Sequence, residues 1–337
     1  MIHYQSGPHE YPRFKEYKVT GPMPVNPKTI LVIKLDALGD YLLYTPFYSG
    51  LRKLYPDAKI TLICNPTTFE LAEHNPVFNE IVQFQPAGSQ SAFLFAMNLP
   101  KYDLVINPRW WPDYYGADVI VTLVDSPCKL AFSTQNPKCY TTFIEDIKPL
   151  HEVWRGMEML NALGLKDFEP KQQIHLADDE ELFQIIMPDK PIIGFGIGGS
   201  SDFKRWPRYA DLAKKLEGTI LVFGNGRDEE LSKEIEAANP NVINLVNRLS
   251  IRQTAEAIRY CDLMICNDSL HMHCAATHGI PIVEIIGEPP GGNPGDQHLP
   301  AQFGPWGSKF VWVQPDEGGI NNVTVDEVLE AMGKLNG

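Results

Sequence analysis

The chain has 337 residues, of which 44% are hydrophobic and 21% charged, the composition of an ordinary globular protein with room for two domains. Its formal net charge of −13 argues against nucleic acid as a partner, because the phosphates would be repelled. The charge is uneven: residues 1–150 contain 13 Lys/Arg and 14 Asp/Glu, whereas residues 151–337 contain 16 and 28.

Six cysteines are scattered along the chain with no CxxC pair, a pattern that favours a reducing compartment over a disulfide framework. Residues 1–26 lack the apolar segment of a signal peptide, and no apolar run approaches the roughly 20 residues of a bilayer span. We therefore expect a cytoplasmic protein, with peripheral contact to the inner face of a membrane left open.

Short apolar runs alternate with helical periodicity through the first half of the chain. Residues 1–28 are predicted to form an extension, because the stretch YPRFKEYKVTGPMPVNPK at 11–28 contains too many Pro and Gly for a regular element. Strands are predicted at 29–35, 59–64, 80–84 and 104–107, helices at 41–54, 67–74, 92–99 and 151–163, and less regular segments at 113–123, 128–132 and 139–143. Each strand–helix–strand unit favours a parallel pair with a right-handed crossover.

The same alternation resumes after a polar stretch. Strands are predicted at 191–196, 219–224, 242–244, 262–266 and 282–286, and helices at 207–216, 228–238, 251–260, 270–278 and 325–335. Two consecutive α/β halves predict two doubly wound, Rossmann-like parallel-sheet domains facing a central cleft. The predicted boundaries are an N-terminal extension at 1–28, domains at 29–165 and 189–322, a linker at 166–188 and a C-terminal helix at 323–337.

The segment KLDALGDYLLYTP joins the first strand to its helix. Gly39 allows a tight turn there, and Asp40 lies at the start of the helix, close to the predicted cleft. One interpretation makes Asp40 a general base that takes a proton from an acceptor hydroxyl. The other makes it the N-cap of the helix, the role that most Asp residues have at such a place.

A glycine-rich loop, GFGIGGSSDFKRWP, follows the first strand of the second half. Gly198, Gly199 and Ser200 make this loop flexible and polar, and Lys204 supplies a cation just beyond it. A flexible loop with a nearby cation suits a pyrophosphate. The loop matches neither GxGxxG nor GxxxxGK[ST], so it is not assigned to a dinucleotide site or a P-loop.

The segment CDLMICNDSLHMHCAATHG predicts a buried strand that ends in a polar turn and opens a helix. The free amides and positive dipole end at such a helix start form an anion site. Ser269 could cap those amides or donate its hydroxyl to a phosphate, and His273 lies one turn further on. The alternative is an N-capped helix with an interfacial His273. A metal site with Asp268 is disfavoured, because His271 and His273 do not share a helix face.

Two further segments carry polar side chains at strand ends. The stretch FGNGRDEEL begins at Phe223, and its Asp228 or Glu229 could accept hydrogen bonds from ribose hydroxyls. Acids in the first turn of a helix are expected anyway, so the helix-start role is the leading interpretation of both residues. Arg109 and Trp110 follow a first-half strand and could bind a sugar or phosphate of an acceptor, or serve as a packed loop anchor.

Taken together, four segments in this order resemble glycosyltransferase family 9, the group of ADP-heptose:lipopolysaccharide heptosyltransferases. They are ILVIKLDALGDYLLYTPF, HEVWRGMEMLNALGL, GIGGSSDFKRWP and NDSLHMHCAATHGIPIVEIIG. The resemblance implies a GT-B fold with an acceptor-side domain at 29–165 and a nucleotide-sugar-binding domain at 189–322. It also implies an inverting, metal-independent transfer of a heptose-like sugar, with an ADP-linked donor as co-substrate and no cofactor.

Carried over by position, the resemblance makes Asp40 the general base and Lys204 the cation that neutralises the leaving diphosphate. A lysine and a helix N-terminus can stabilise that charge without a metal. Leu270 stands where the family usually has glycine, so the close approach of that amide to a phosphate is not carried over. The predicted acceptor-binding residues are Arg109 and Trp110, and the predicted donor-binding residues are Gly198, Gly199, Ser200, Phe223, Asp228, Glu229, Asp268, Ser269, Leu270 and His273.

The predicted partners are a nucleotide-sugar donor and a saccharide or other hydroxyl-bearing acceptor, and the oligomeric state is left open. The near-neutral first half lacks the basic face expected for a phosphorylated lipid core, so acceptors other than lipopolysaccharide remain candidates. Two alternative functions also stand: a nucleotide-sugar epimerase of the same fold, and a non-catalytic binding or assembly protein that kept the fold.

Overall fold

The computed structural model describes residues 2–5, 18–85, 89–110, 116–145, 151–176, 191–287 and 300–335. Within these ranges the strands are β1 (Ile2–Gln5), β2 (Val19–Thr20), β3 (Thr29–Lys34), β4 (Lys59–Cys64), β5 (Glu80–Gln83), β6 (Leu104–Ile106), β7 (Cys128–Phe132), β8 (Thr142–Ile144), β9 (Ile192–Gly196), β10 (Thr219–Phe223), β11 (Val242–Asn244), β12 (Leu263–Asn267), β13 (Ile282–Ile285) and β14 (Phe310–Val313). The helices are α1 (Leu38–Leu43), α2 (Thr45–Leu54), α3 (Pro66–Ala72), α4 (Ser89–Ala96), α5 (Ala117–Leu123), α6 (Glu152–Ala162), α7 (Tyr209–Ala213), α8 (Glu229–Ala238), α9 (Ile251–Ile258), α10 (Leu270–Thr277), α11 (Pro300–Phe303) and α12 (Val325–Leu335).

The strands of the described ranges form two seven-stranded sheets, each in its own compact unit. The N-terminal unit, Glu10–His175, contains the order β2-β8-β7-β6-β3-β4-β5. The C-terminal unit, Met1–His9 with Leu176–Gly337, contains the order β1-β14-β13-β12-β9-β10-β11. The predicted extension 1–28 contributes one antiparallel edge strand to each sheet, so the expectation of no regular element at 11–28 is wrong for β2.

The central strands are apolar on both faces. In β3 and β4 every residue after the first is buried, and β9 and β10 are buried throughout. Among the described strands, all pairings other than those of β1 and β2 are parallel. Helices cover both faces of such a sheet, which is why these strands read as continuous runs of β-branched and other apolar residues.

The predicted helix at 41–54 is two helices, α1 and α2, separated at Tyr44. Pro46 lies in the first turn of α2, where it has no N–H to donate to the carbonyl of Leu42. That carbonyl accepts instead from Oγ1 of Thr45 (2.7 Å) and Nε2 of Gln172 (3.1 Å). The proline therefore ends the first helix after six residues, of which Asp40 is the third.

Strand order reverses once in each sheet. The first strand of the N-terminal unit's parallel core, β3, lies between β4 and β6, and the corresponding strand of the C-terminal unit, β9, lies between β10 and β12. In doubly wound sheets, ligands bind beyond the carboxyl ends of the strands at such reversals. The prediction of two doubly wound parallel sheets is confirmed, and it directs attention to the carboxyl ends of β3 and β9.

Candidate active site

The predicted donor motifs converge at the carboxyl edge of the C-terminal sheet. β12, β9 and β10 are neighbours in that order and run parallel. Gly198 follows β9, Phe223 ends β10, and Asp268 follows β12. Because neighbouring parallel strands end at the same edge, the glycine-rich loop and the start of α10 lie together in this unit.

Asn267 fixes the glycine-rich loop to the end of β12. Its fully buried side chain donates from Nδ2 to the carbonyls of Ile197 (2.8 Å) and Gly198 (3.2 Å). Its Oδ1 accepts from the backbone N–H of Trp206 (3.3 Å) and the hydroxyl of Tyr209 (3.1 Å). The sequence predicts a turn at Asn267, whereas the residue ends β12, because these four hydrogen bonds satisfy its amide inside the fold.

Lys204 and Asp268 form a buried ion pair. Nζ of Lys204 lies 2.6 Å from Oδ2 of Asp268, and the two side chains are 8% and 13% exposed. The lysine ends a 3₁₀ turn, Asp202–Lys204, and the aspartate directly precedes the N-cap residue of α10. An ammonium group has three N–H donors, so this pairing leaves two of them for an anion near the helix N-terminus.

The two acids predicted to bind ribose have partners within the protein. Oδ1 of Asp228 lies 2.9 Å from Nη2 of Arg205, and its Oδ2 accepts from the backbone N–H of Asn225 (2.8 Å) in a capping box. Glu229 is exposed, and its Oε1 lies 2.7 Å from Nζ of Lys233. Asp228 therefore caps the 3₁₀ turn Gly226–Asp228 that precedes α8, and Glu229 lies in the first turn of α8, where a negative charge stabilises a helix.

Ser269 is the N-cap residue of α10, but its hydroxyl does not cap the helix amides. Oγ lies 3.2 Å from Nδ1 of His271 instead. The His271 ring stacks on the buried ring of Phe223, with centroids 6.2 Å apart. Burial lowers the pKa of His271 to about 4, so this imidazole is neutral near pH 7 and orients the serine through a neutral hydrogen bond.

The remaining predicted donor-binding residues differ in exposure. Gly198 and His273 are buried, Gly199 and Leu270 are half-buried, and Ser200 is exposed. A Cβ on Gly198 would lie 3.3 Å from both Oδ2 of Asp228 and Cε1 of His271. Since that is tighter than an ordinary contact, glycine lets the backbone pass between these two side chains.

Asp40, the predicted base, lies in the first turn of α1 in the N-terminal unit. Ala37 is the N-cap residue, and it has no side-chain capping bond. The alternative that Asp40 is the N-cap is therefore wrong. Its carboxylate is half-buried and interacts electrostatically with Lys34 at the carboxyl end of β3, the position expected for a catalytic group in this fold.

Lys34 is the centre of a buried charge network. Its Nζ lies 2.5 Å from Oδ2 of Asp36 and 4.1 Å from the ring centroid of Tyr44. The Tyr44 hydroxyl donates to Oε2 of Glu152 (3.0 Å). Burial lowers the pKa of Lys34 to about 8, and the charges of Asp40 and Glu152 oppose this shift.

Arg109 and Trp110, the predicted acceptor-binding residues, join the same network. Nη1 of Arg109 contacts Oδ1 of Asp36. The guanidinium carbon of Arg155 lies 3.9 Å from the ring centroid of Trp110, a cation–π contact, and Nε of Arg155 lies 3.0 Å from Oε1 of Glu152. Through these contacts both predicted residues are tied to the carboxyl end of β3.

The predicted site residues do not include several polar residues that lie in or beside the two sites. They are Lys34, Asp36, Tyr44, Glu152, Arg155, Arg205, Asn267, His271 and Glu284. For some of them a signal was present, because a single charge interrupts the apolar runs ILVIKL and IPIVEII. A polar group inside a buried strand needs a partner or must lose its charge, so such interruptions mark positions with a specific role.

Within the described ranges, no group of three or more His, Cys, Asp or Glu side chains is arranged to hold a metal ion. A search of the same residues also finds no helix long and apolar enough to span a bilayer. The six cysteines are free thiols, and five of them are buried.

Solved structures define the class of this fold. A glycosyl transferase family 9 protein from Veillonella parvula DSM 2008 superposes with a TM-score of 0.78 and 22% identity, over 91% of this chain and 97% of that one. ADP-heptose lps heptosyltransferase II of E. coli superposes with a TM-score of 0.69 and 21% identity, over 91% and 98%. Both are GT-B proteins, so this chain has the GT-B fold built from two Rossmann-like parallel-sheet domains.

Sequence comparison then identifies the family. The model for glycosyltransferase family 9 (heptosyltransferase) matches residues 101–313. Lipopolysaccharide heptosyltransferase 2 of Salmonella typhimurium is 36% identical over 294 residues, covering 77% of this chain and 82% of that protein. The chain belongs to glycosyltransferase family 9 and is a glycosyltransferase, as its four motifs predict.

Proposed function

We propose that this enzyme transfers a heptose-like sugar from an ADP-linked donor to a hydroxyl group of a saccharide acceptor, with inversion and without a metal. The names of its relatives support the substrate classes: one is an ADP-heptose lps heptosyltransferase and another a lipopolysaccharide heptosyltransferase. The observation that carries the proposal is the Lys204–Asp268 pair beside the N-terminus of α10, where a cation and helix amides lie together.

In this proposal the C-terminal unit binds the donor. The diphosphate accepts hydrogen bonds from the two remaining N–H groups of Lys204 and from amides at the start of α10. Charge builds on the diphosphate as the glycosidic bond breaks, so donors that are already in place stabilise the transition state more than the ground state. Leu270 carries one of these amides, and its side chain limits how closely the phosphate can approach.

The N-terminal unit supplies the base. The acceptor oxygen attacks the anomeric carbon on the face opposite the diphosphate, which inverts the configuration. A bond from that oxygen to the anomeric carbon forms as the bond to the diphosphate oxygen breaks, and the electron pair leaves with the nucleotide. Asp40 takes the hydroxyl proton, so the products are the glycoside, ADP and a protonated carboxyl group.

Transfer assays with ADP-heptose and a lipopolysaccharide-core acceptor test these roles. Asp40→Asn should lower kcat by about 10²- to 10⁴-fold, the usual contribution of a general base, and leave ADP affinity unchanged. Lys204→Met should weaken ADP binding and lower kcat together, because it removes donors to the diphosphate. Undiminished turnover in Asp40→Asn would refute the assignment of the base.

Matched controls use exposed residues of the same type. Asp57→Asn and Lys214→Met change the same charges on the surface of the N- and C-terminal units, and both should behave as wild type. Binding of ADP-heptose without turnover would indicate the non-catalytic alternative, and epimerised donor would indicate the epimerase. We also propose a cytoplasmic location, which the free cysteines support, with any membrane contact peripheral.

A further inference from the structure

Glu284 is a buried acid with no hydrogen-bond partner among the described residues. It lies within β13, in the apolar run Ile282–Ile285, and is only 2% exposed. Its Oε2 is fully buried and accepts no hydrogen bond from the part of the chain that the structure describes. An ionised carboxylate in such a place is costly, whereas a protonated carboxyl group is tolerated much better. None of the steps proposed above uses this residue.

Glu284 lies beside the end of β12 that leads to the donor-site ion pair, because its register partner there is Cys266, two residues before Asp268. Its pKa is raised well above the usual range by burial and by the charge of Asp268, and Lys204 acts in the opposite direction. On the neighbouring strands, its register partners are Cys266 on β12 and Trp312 on β14. Among the described elements, two helices pack against β13. α10 carries as its buried titratable residues His271, His273 and Cys274. α12 shares an apolar core with Val283 and Ile285, and none of its charged residues, Asp326, Glu327, Glu330 and Lys334, is buried.

The protonation of Glu284 decides the net charge of this cluster. With Glu284 neutral, Lys204 and Asp268 cancel, and the lysine has one carboxylate partner. With Glu284 ionised, the cluster carries a charge of −1 and Lys204 lies in the field of two carboxylates. A diphosphate is itself an anion, so the ionised cluster repels it and competes with it for the lysine.

We propose that Glu284 is a positioning residue that must carry a proton for Lys204 to bind the diphosphate of the donor. This inference rests on the proposed role of Lys204 in donor binding. Above the pH at which Glu284 ionises, donor binding must then take up one proton. The affinity for the donor should fall as the pH rises, by up to tenfold per pH unit.

Calorimetric titration with ADP-glucose between pH 6 and 9.5 tests the proposal, because the diphosphate of this probe does not titrate in that window. Wild type should lose affinity towards alkaline pH. Glu284→Gln keeps the shape of the side chain without its charge, so it should bind as wild type does at low pH and show a flatter profile. Glu234→Gln, an exposed acid on α8, is the control and should follow wild type.

Wild type alone also provides a test that does not depend on a variant folding. Titrations in buffers of different ionisation enthalpy report the protons taken up, and the expected uptake rises towards one per bound ADP-glucose at alkaline pH. No uptake at any pH, or a Glu284→Gln profile that matches wild type, would overturn the inference. Absence of binding at every pH, or an unaffected Lys204→Met variant, would instead overturn the proposed function.

Discussion

Replacing Asn267 by alanine tests whether one buried amide holds the donor loop in place. The substitution removes the donor to the carbonyls of Ile197 and Gly198, which anchor the start of the loop. It also removes the acceptor of the Trp206 N–H and the Tyr209 hydroxyl, which anchor its end. Both ends of the loop therefore lose their attachment to β12 in a single change.

The expected magnitude follows from the groups left behind. The buried N–H of Trp206 loses its partner, at about 1–3 kcal/mol, and the two carbonyls lose about 1 kcal/mol each. Tyr209 keeps a second acceptor, the Gly196 carbonyl at 3.3 Å. The free energy of unfolding of the C-terminal unit should therefore fall by roughly 4 kcal/mol in Asn267→Ala. Tyr209→Phe removes a single hydroxyl and should cost about 1 kcal/mol.

Urea unfolding followed by tryptophan fluorescence measures both variants. Two units can unfold in separate steps, so each titration is run with and without ADP, which identifies the transition of the unit that binds it. ADP affinity should also fall in Asn267→Ala, by about tenfold, because the loop amides are no longer held. If Asn267→Ala is no less stable than Tyr209→Phe, the amide does not organise the loop and this reasoning is wrong.

Two further substitutions test the packing and the charge network. A Cβ on Gly196 would lie 2.7 Å from two neighbouring Cβ atoms, so Gly196→Ala should lower the free energy of unfolding by about 1–3 kcal/mol. Gly333→Ala is the control: this position on α12 faces open space, so the substitution should raise the free energy of unfolding by up to about 1 kcal/mol. Arg155→Leu removes the ion-pair partner of buried Glu152, which keeps the smaller effects of Lys34 and the Tyr44 hydroxyl, and should cost about 3 kcal/mol at pH 7.5. Burial raises the pKa of Glu152, so its protonated form is favoured in the fold and the loss in thermal stability should be smaller at pH 4.5. An equal loss at both pH values would contradict the network.

Most strands of the two sheets follow from the sequence, because a strand covered by helices on both faces must be apolar on both faces. Lys59–Cys64 and Val242–Asn244 have the bounds that their apolar runs predict, whereas Cys128–Phe132, predicted only as a less regular segment, is a strand. Helix ends were less predictable. At the break at Tyr44, the side chains of Thr45 and Gln172 donate hydrogen bonds to the Leu42 carbonyl in place of the N–H that proline lacks.

The residue types of the candidate site could also be predicted from the sequence, because a diphosphate-binding site needs glycine, a cation and a helix start at the ends of strands. Asp40, Gly198, Lys204 and Asp268 all lie where parallel strands end. The residues with which they form hydrogen bonds and ion pairs could not be predicted in this way. Nothing in the local sequence indicates that Lys204 pairs with Asp268, which is 64 residues away.

The sequence by itself therefore determined the alternation of elements, the family and the strand ends that carry the chemistry, since these depend on local hydrophobic pattern and short motifs. Only the tertiary structure decided which groups the charges face: Arg155 faces the Trp110 ring, Arg205 pairs with Asp228, and Glu284 lies beside the donor-site pair. The physical reason is that burial and Coulomb interaction depend on distances between segments far apart in the chain. Those distances arise only when the strands pair and the sheet brings their ends to one edge.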